Sequence, residues 1–339
     1  MSFGTPKVSV VMGAYNAEKF LKEAIDSILN QTFEDFEFII VNDGSTDGTQ
    51  AILDSYHDSR MIIIINEENL GRSGARNKAI NISKGEYIAI MDADDISLPK
   101  RLEREVNFLD SHNDIAAVGS YFFDINEKGR IAGIVKFLTE SDDIKEMLPR
   151  GNIIENSTAM LRKSCLEIVG GYREEFKGAE DYDLFLRLSE YFKLANLKEP
   201  LFKRRINLAS FSVAYKSELD LLTKLAQELA KERREFGKDR LQIFKEEGNE
   251  EGLKKLLPKP QPQSRKEIAH GYFHWGRVLL RGKDYRGALD LLSKAFIRDP
   301  LSPWSLVLED LVILAFPKPI INILGRIRRY LISRKIYNY

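Results

Sequence analysis

Along the first two hundred residues, short apolar runs rich in Val and Ile alternate with stretches where apolar residues recur every three or four positions. That alternation predicts strands interleaved with covering helices, the pattern of a mixed, mostly parallel sheet in an α/β domain. Residues 8–12 read as a buried strand, and Phe20, Leu21, Ala24, Ile25, Ile28 and Leu29 share one face of a helix over 18–29. Further strands are expected at 36–41, 61–65 and 87–91, with helices at 49–56 and 74–83 between them. Pro99 suits a helix start, so 101–109 reads as helix. Residues 118–123 and 130–137 flank the turn signal 126–129 and predict a hairpin of antiparallel strands. A strand at 159–162, a break at Gly170 and Gly171, and a helix over 181–192 complete the series.

From about Ser217 the pattern changes to long charged helices, interrupted by the proline-rich stretch 258–264 (PKPQPQS), a stiff joint. The organisation expected is a domain over 1–215 followed by an all-α region over 216–339. Within that region Gly282, Tyr285, Ala288, Ala295 and Pro300 stand at the intervals of a tetratricopeptide-like helical hairpin. Only one such unit is legible, so it is expected to pack on neighbouring helices rather than form an array.

Composition removes several function classes. Lys plus Arg and Asp plus Glu are both 51, so no global charge recommends nucleic acid as a partner. Cys165 stands alone, which excludes an intramolecular disulfide. The longest apolar stretch, 311–316, falls far short of the ~20 residues a membrane-spanning helix needs. No signal-peptide pattern opens the chain, so the expectation is a soluble or peripheral cytoplasmic protein. The segment 318–339 carries six Lys or Arg, no Asp or Glu, and interleaved Ile and Leu at near-helical spacing. Such a helix either lies on an anionic bilayer, here the inner face of the cytoplasmic membrane, or packs its apolar face on the preceding hairpin. His57, His112, His270 and His274 show no ligand spacing.

In open parallel sheets ligands sit beyond the carboxyl ends of the strands, so those loops are where chemistry is sought. Residues 91–95 read MDADD, a strand running into three acids. Carboxylates this close repel one another unless a cation neutralises them, and hard oxygen donors suit Mg²⁺ or Mn²⁺ with sites left for phosphate. A bare D-x-D is equally at home in a solvated acidic turn before a helix. After the first strand come Gly13, Ala14, Tyr15 and Asn16, small enough to admit a ligand, with Tyr15 able to lie against a base; a helix cap at Asn16 would explain them too. After the second strand, Asp43 can accept from the imide N–H of uracil, while Asp47 or Thr49 suits the cap of the next helix. In 69–77 (NLGRSGARN), Arg76 offers a planar fork suited to phosphate, or a partner for an acid.

VSVVMGAYN, VNDGSTDGT, NLGRSGARNKAI and GEYIAIMDADD, in this order, resemble the family 2 glycosyltransferases of GT-A (Rossmann-like) fold, over roughly residues 6–215. The resemblance implies a nucleotide-sugar site made by Ala14, Tyr15, Asp43, Arg76, Asp92 and Ala93, with Asp94 holding a divalent Mn²⁺ or Mg²⁺ on the diphosphate. Asn42 stands where many members have a second aspartate, so base contact is carried over to Asp43 only. Residues 178–183 (GAEDYD) resemble the family's acidic motif and imply Asp181 as the catalytic base; enrichment of a helix start in acid is the plainer account of Glu180 and Asp181. The Gln-x-x-Arg-Trp motif of processive synthases is absent, which favours single sugar transfer. Residues 204–212 (RRINLASFS) resemble a stretch that closes over the site in many members, with Asn207 where histidine is frequent.

The expected activity is inverting, metal-dependent transfer of one sugar from a nucleotide-sugar, a UDP-sugar foremost, to a glycan or lipid-linked acceptor in cell-surface polysaccharide biosynthesis. Two alternatives stand beside it. Transfer to a polyprenyl phosphate would need little base assistance, and a noncatalytic helical scaffold would need none of the four acids Asp43, Asp92, Asp94 and Asp181.

Overall fold

The computed structural model describes residues 4–206, 216–257 and 264–300, together with Val307 and Asp310. Residues 207–212 of the closing stretch and the basic segment 318–339 lie outside the described residues. Among the described residues no helix is long and apolar enough to cross a membrane.

A nine-stranded mixed sheet organises the protein. Its parallel half is β3 (Met61–Asn66), β2 (Phe36–Asp43), β1 (Val8–Ala14) and β4 (Tyr87–Asp92), side by side in that order. These strands are apolar on both faces, as a sheet covered by helices on two sides requires. Alternation of side chains divides each strand between two cores. Val10, Met12, Phe38, Ile40, Ala89 and Met91 face α1 (Leu21–Leu29) and α4 (Arg101–Ser111). Val11, Ile39, Val41, Ile88 and Ile90 face α3 (Gly71–Ile82) and α7 (Glu180–Tyr191). The short helix α2 (Thr49–Asp54) follows β2.

The other half continues from β4 through β8 (Met160–Arg162), antiparallel to it, to β6 (Ile115–Ile125), β9 (Lys193–Arg205) and the two-residue β5 (Ile96–Ser97). The expected hairpin partner is present as β7 (Ile131–Val135), which pairs β6 off this path. The long partner of β6, however, is β9, which runs parallel to it and was not anticipated. Its sequence KLANLKEPLFKRR buries Leu194, Leu201 and Phe202 but interrupts the pattern with Lys, Glu and Pro. Pro200 pairs with Tyr121 where the register shifts, the place where a strand tolerates a residue without an N–H. Two helices between strands, α5 (Ser141–Met147) and α6 (Lys163–Val169), also went unanticipated; Cys165 is buried on α6.

The contacts divide the chain into two units: Met1–Gly129 with Ile134–Pro262, and Arg130–Gly133 with Gln263–Tyr339. The first includes α8 (Lys216–Phe236), α9 (Arg240–Glu246) and α10 (Glu250–Leu256). Leu222, Leu225, Ala226, Leu229 and Ala230 of α8 join the α7 core. Beneath them Asp239, fully buried, accepts from Arg173 at 2.9 Å and also pairs with Arg233, while Asp183 pairs with Arg187 at 2.8 Å. In the second unit α11 (Arg265–Arg281), opened by a Ser264–Glu267 capping box, packs on α12 (Tyr285–Arg298). Ala288 and Ala295 are buried there, and Gly276 lies so close to Leu292 that a Cβ would sit 2.8 Å from its side chain. This is the hairpin that the small-residue spacing predicted.

Candidate active site

The carboxyl ends of β1, β2, β3 and β4 bring the first three loops together. Asn16 adopts a left-handed backbone (φ 48°) and accepts from the Thr46 N–H at 2.9 Å, while Ser45 Oγ accepts from the Asn16 N–H at 3.0 Å. Asn16 therefore joins two loops and does not cap α1. Asp47 accepts from the N–H groups of Glu18 and Thr49, and Thr49 Oγ1 from that of Ala17. The seam leaves Ala14 buried at the strand end and Tyr15 half exposed beside it. Asn42 serves this framework, bonding Gln50 and the Ser45 N–H.

Asp43 is buried at the end of β2, where its Oδ1 accepts from Asn66 Nδ2 at 2.7 Å and from the Leu70 N–H at 2.9 Å. Gly44 follows with φ +72°, a conformation that lets the chain turn against the backbone of Glu68 and Asn69. The loops after β2 and β3 are thus held together through one carboxylate.

Arg76, on α3, is buried rather than superficial. It donates to Asp92 at 2.6 Å and to Glu180 at 2.9 Å, with its guanidinium 5.6 Å from the centroid of the Tyr172 ring. Burial pulls the pKa of Asp92 up, but the charges of Arg76, Arg72 and Arg101, with the Arg76 hydrogen bond, together outweigh it and hold the carboxyl below its ordinary value. Asn77, one residue on, bonds both the N–H and the carbonyl of Tyr172. Gly171 (φ +66°) makes room for that contact, since a Cβ there would meet Asn77 at 3.1 Å. The glycine break and the Arg76–Asn77 turn of α3, about a hundred residues apart, are one joint.

That joint carries Asp181 to the sheet. Glu180 also accepts from the Gly178 N–H at 2.6 Å, and Asp181 follows it in the first turn of α7. Asn152 Nδ2 donates to Asp181 Oδ2 at 2.9 Å. Burial, with Glu180 and Glu155 nearby, pushes the Asp181 carboxyl up to about 7. A carboxylate so tuned is half ionised near neutrality, the condition in which it can take a proton from a hydroxyl. Glu155 is held by Arg204 at 2.6 Å, and burial raises its pKa as well.

Ala93, buried, and Asp94, half buried, follow β4 between Asp92 and the buried Asp95. Among the described residues no group of three or more His, Cys, Asp or Glu side chains is arranged to hold a cation unaided. Magnesium and manganese commonly take one or two carboxylates and complete their shell with water and substrate phosphate. The carboxylates of Asp92 and Asp94 are oxygen donors of the kind such a cation takes.

The structure adds Asn152, Glu155, Asp95 and Arg205 to the residues considered from sequence. Asp95 was visible as the third acid of MDADD and Arg205 within the RR pair, but nothing in sequence joined them. Asn152 and Glu155 carry no local signal, since their roles come from a loop that folds back over α7.

Comparison with known proteins agrees with this architecture. Residues 9–168 match the model of the family "Glycosyl transferase family 2". An uncharacterised glycosyltransferase of Methanocaldococcus jannaschii is 41% identical over 209 residues, covering 59% of this chain and 71% of that protein. The O-antigen biosynthesis glycosyltransferase WbnJ of Escherichia coli is 35% identical over 205 residues, covering 59% of this chain and 80% of that protein. Among solved structures, S. aureus TarS 1-349 in complex with UDP-GlcNAc superposes with a TM-score of 0.55 at 18% identity, covering 84% of this chain and 89% of that one. The mannosyltransferase PcManGT of Pyrobaculum calidifontis, in complex with GDP-Man and Mn²⁺, gives 0.51 at 19% identity, covering 99% and 87%. The ordered motifs, the mixed sheet and these likenesses agree on one assignment: the chain is a glycosyltransferase and belongs to family 2, with the GT-A fold.

Proposed function

We propose that this enzyme is an inverting, metal-dependent transferase that moves a single sugar from a nucleotide-sugar, a UDP-sugar foremost, to a glycan or lipid-linked acceptor in cell-surface polysaccharide biosynthesis. The observation that carries the reading is the Asp92–Arg76–Glu180 bridge, which brings the acid at the start of α7 to the end of β4. In this reading the donor-site and acceptor-site carboxylates flank one space. WbnJ, named for O-antigen biosynthesis, supports the pathway, and the UDP-GlcNAc and GDP-Man complexes support a nucleotide-sugar donor.

In this reading Asp43 accepts from the base, Tyr15 lies against it, and Ala14 and Ala93 let the nucleotide approach the backbone. Asp92 and Arg76 form the floor under the diphosphate, and Asp94 would hold the divalent cation. That cation, when bound, neutralises charge growing on the departing nucleoside diphosphate. Asp181 takes the proton from the acceptor hydroxyl as that oxygen attacks the anomeric carbon from the face opposite the leaving group, which inverts the configuration. Residues 1–215 carry these groups, and the helical region 216–339 buttresses α7 through α8 and supplies the basic segment 318–339 for peripheral membrane contact. Deleting that segment should abolish co-sedimentation with anionic vesicles; unchanged pelleting would remove it as the cause.

Thermal unfolding with UDP, GDP, dTDP and CDP, each with Mn²⁺ or with EDTA, tests the donor site. A ligand that binds only the folded state adds about 2.7 kcal/mol at a hundred times its dissociation constant. Stabilisation by one nucleotide, dependent on metal, is expected. A folded protein indifferent to all four would defeat the reading.

A further inference from the structure

Arg205 closes β9 and is almost completely buried, with a side chain 1% exposed. All three guanidinium nitrogens are engaged. Nε donates to the Asp94 carbonyl at 2.8 Å, Nη1 to the carbonyls of Asn126 and Glu127 at 3.2 and 3.1 Å, and Nη2 to the Glu23 carboxylate. The guanidinium carbon lies over the Phe20 ring, 4.2 Å from its centroid. The backbone N–H of Arg205 donates to Asp95 Oδ1 at 2.7 Å, and the next N–H, of Ile206, donates to the Ile125 carbonyl at 2.8 Å. Four separate pieces of chain, from α1, the acidic loop after β4, the turn after β6 and the end of β9, therefore meet on one side chain.

From this geometry we infer that Arg205 is a positioning residue for Asp94: it fixes the backbone of the acidic loop so that the Asp94 carboxylate is oriented before any cation or diphosphate arrives. The inference rests on the reading of Asp94 as the metal-holding residue. The physical case is the competition within MDADD. Asp92, Asp94 and Asp95 repel one another, and an unsupported loop would splay them apart. Arg76 restrains the first through its side chain, and Arg205 restrains the other two through the Asp94 carbonyl and the Asp95 carboxylate. A lysine could retain the charge beside Glu23 but has its three donors on one atom, so it cannot span the Asp94 carbonyl and the 126–127 carbonyls together. Groups that orient a metal ligand typically change affinity about 10- to 100-fold when removed.

The test is calorimetric titration of the full chain with UDP and with GDP, in Mn²⁺ and in EDTA, for the wild type, Arg205→Lys and Glu23→Gln. Arg205→Lys is expected to weaken the metal-dependent affinity by about 10-fold or more and leave the EDTA affinity unchanged. Glu23→Gln, which loosens the far end of the guanidinium from an exposed helix position, is expected to move the same quantity in the same direction by less, and serves alone if Arg205→Lys does not fold. Equal loss with and without metal would reduce Arg205 to a general structural role, and unchanged affinities in folded variants would overturn the inference outright. A wild type whose nucleotide binding ignores Mn²⁺ would instead overturn the Asp94 reading on which it rests.

Discussion

Asn152 Nδ2 sits 2.9 Å from Asp181 Oδ2, so the proposed base is oriented by a loop that precedes it by 29 residues. The bond favours the ionised carboxylate, whereas burial and the neighbouring acids Glu180 and Glu155 oppose it and push the group up to about 7. Because the reactive form is the anion, transfer should rise with pH through about 7 and fall about tenfold per pH unit below it. Replacing Asn152 by Ala removes a hydrogen bond to a charged group and should move that limb to higher pH by about one unit. The pH profile of kcat/KM measures both, and an acid limb unmoved in the variant would separate Asn152 from the base.

Asp181→Asn should lower kcat by about 10²- to 10⁴-fold while leaving metal-dependent nucleotide affinity intact. Near-full activity in this variant would favour a phosphate acceptor, which needs little help from a base. Stability provides a second readout. The folded carboxyl keeps its proton to about 7, the unfolded one only to 3.8. The native state therefore binds more protons across that window, and its stability declines as pH rises from 3.8 towards 7. Asp181→Asn should flatten that decline in denaturant titrations at several pH values.

Arg76 joins Asp92 to the buried Glu180, and its removal would leave acids facing one another without a counter-charge. Arg76→Ala should cost about 3–5 kcal/mol of unfolding free energy, and the Arg76→Met, Glu180→Gln double variant less than that. Chemical denaturation measures both, and a double variant less stable than the single one would contradict the bridge as the source of the loss.

Gly44→Ala combines a left-handed backbone with a Cβ 2.9 Å from the Glu68 carbonyl carbon. The expected cost is at least about 1–2 kcal/mol of stability. Displacing Glu68 also shifts the Leu70 N–H that steadies Asp43, so nucleotide affinity should fall even in EDTA. Affinity equal to wild type would detach Asp43 from the nucleotide.

Asp94→Ala should remove the metal-dependent part of nucleotide stabilisation and spare the part that survives in EDTA. The comparison is read in thermal shifts of the two proteins side by side. Equal dependence on Mn²⁺ in both would move the cation to other donors.

Local sequence was sufficient for what local physics decides. The Val and Ile runs could become buried strands and little else, because a strand apolar on alternate and intervening residues alike has two faces to cover. The motifs at 13–16, 42–48, 69–77 and 91–95 mark the carboxyl ends of β1 to β4, the third running on into α3 from Gly71, and parallel topology puts those strand ends along one edge. The spacing of Gly282, Ala288, Ala295 and Pro300 likewise announced a helical hairpin, while the close approach at Gly276 emerged only from the structure. β9 escaped because its polar residues and Pro200 break the alternation, and its strand character comes from pairing along β6.

What only the tertiary structure decided is which charges meet. Arg76 could have faced phosphate or an acid, and the fold set it between Asp92 and Glu180, residues 16 and 104 positions away. Arg205 was one of two adjacent arginines until β9 placed it, and not Arg204, under the acidic loop. Ionic partners are selected by proximity and by the burial that strengthens them, and neither quantity is encoded in a residue's own neighbourhood along the chain. The amino-acid pattern therefore determined the sheet, its loops and the kinds of side chain that line them, while long-range packing assigned each of those side chains its partner.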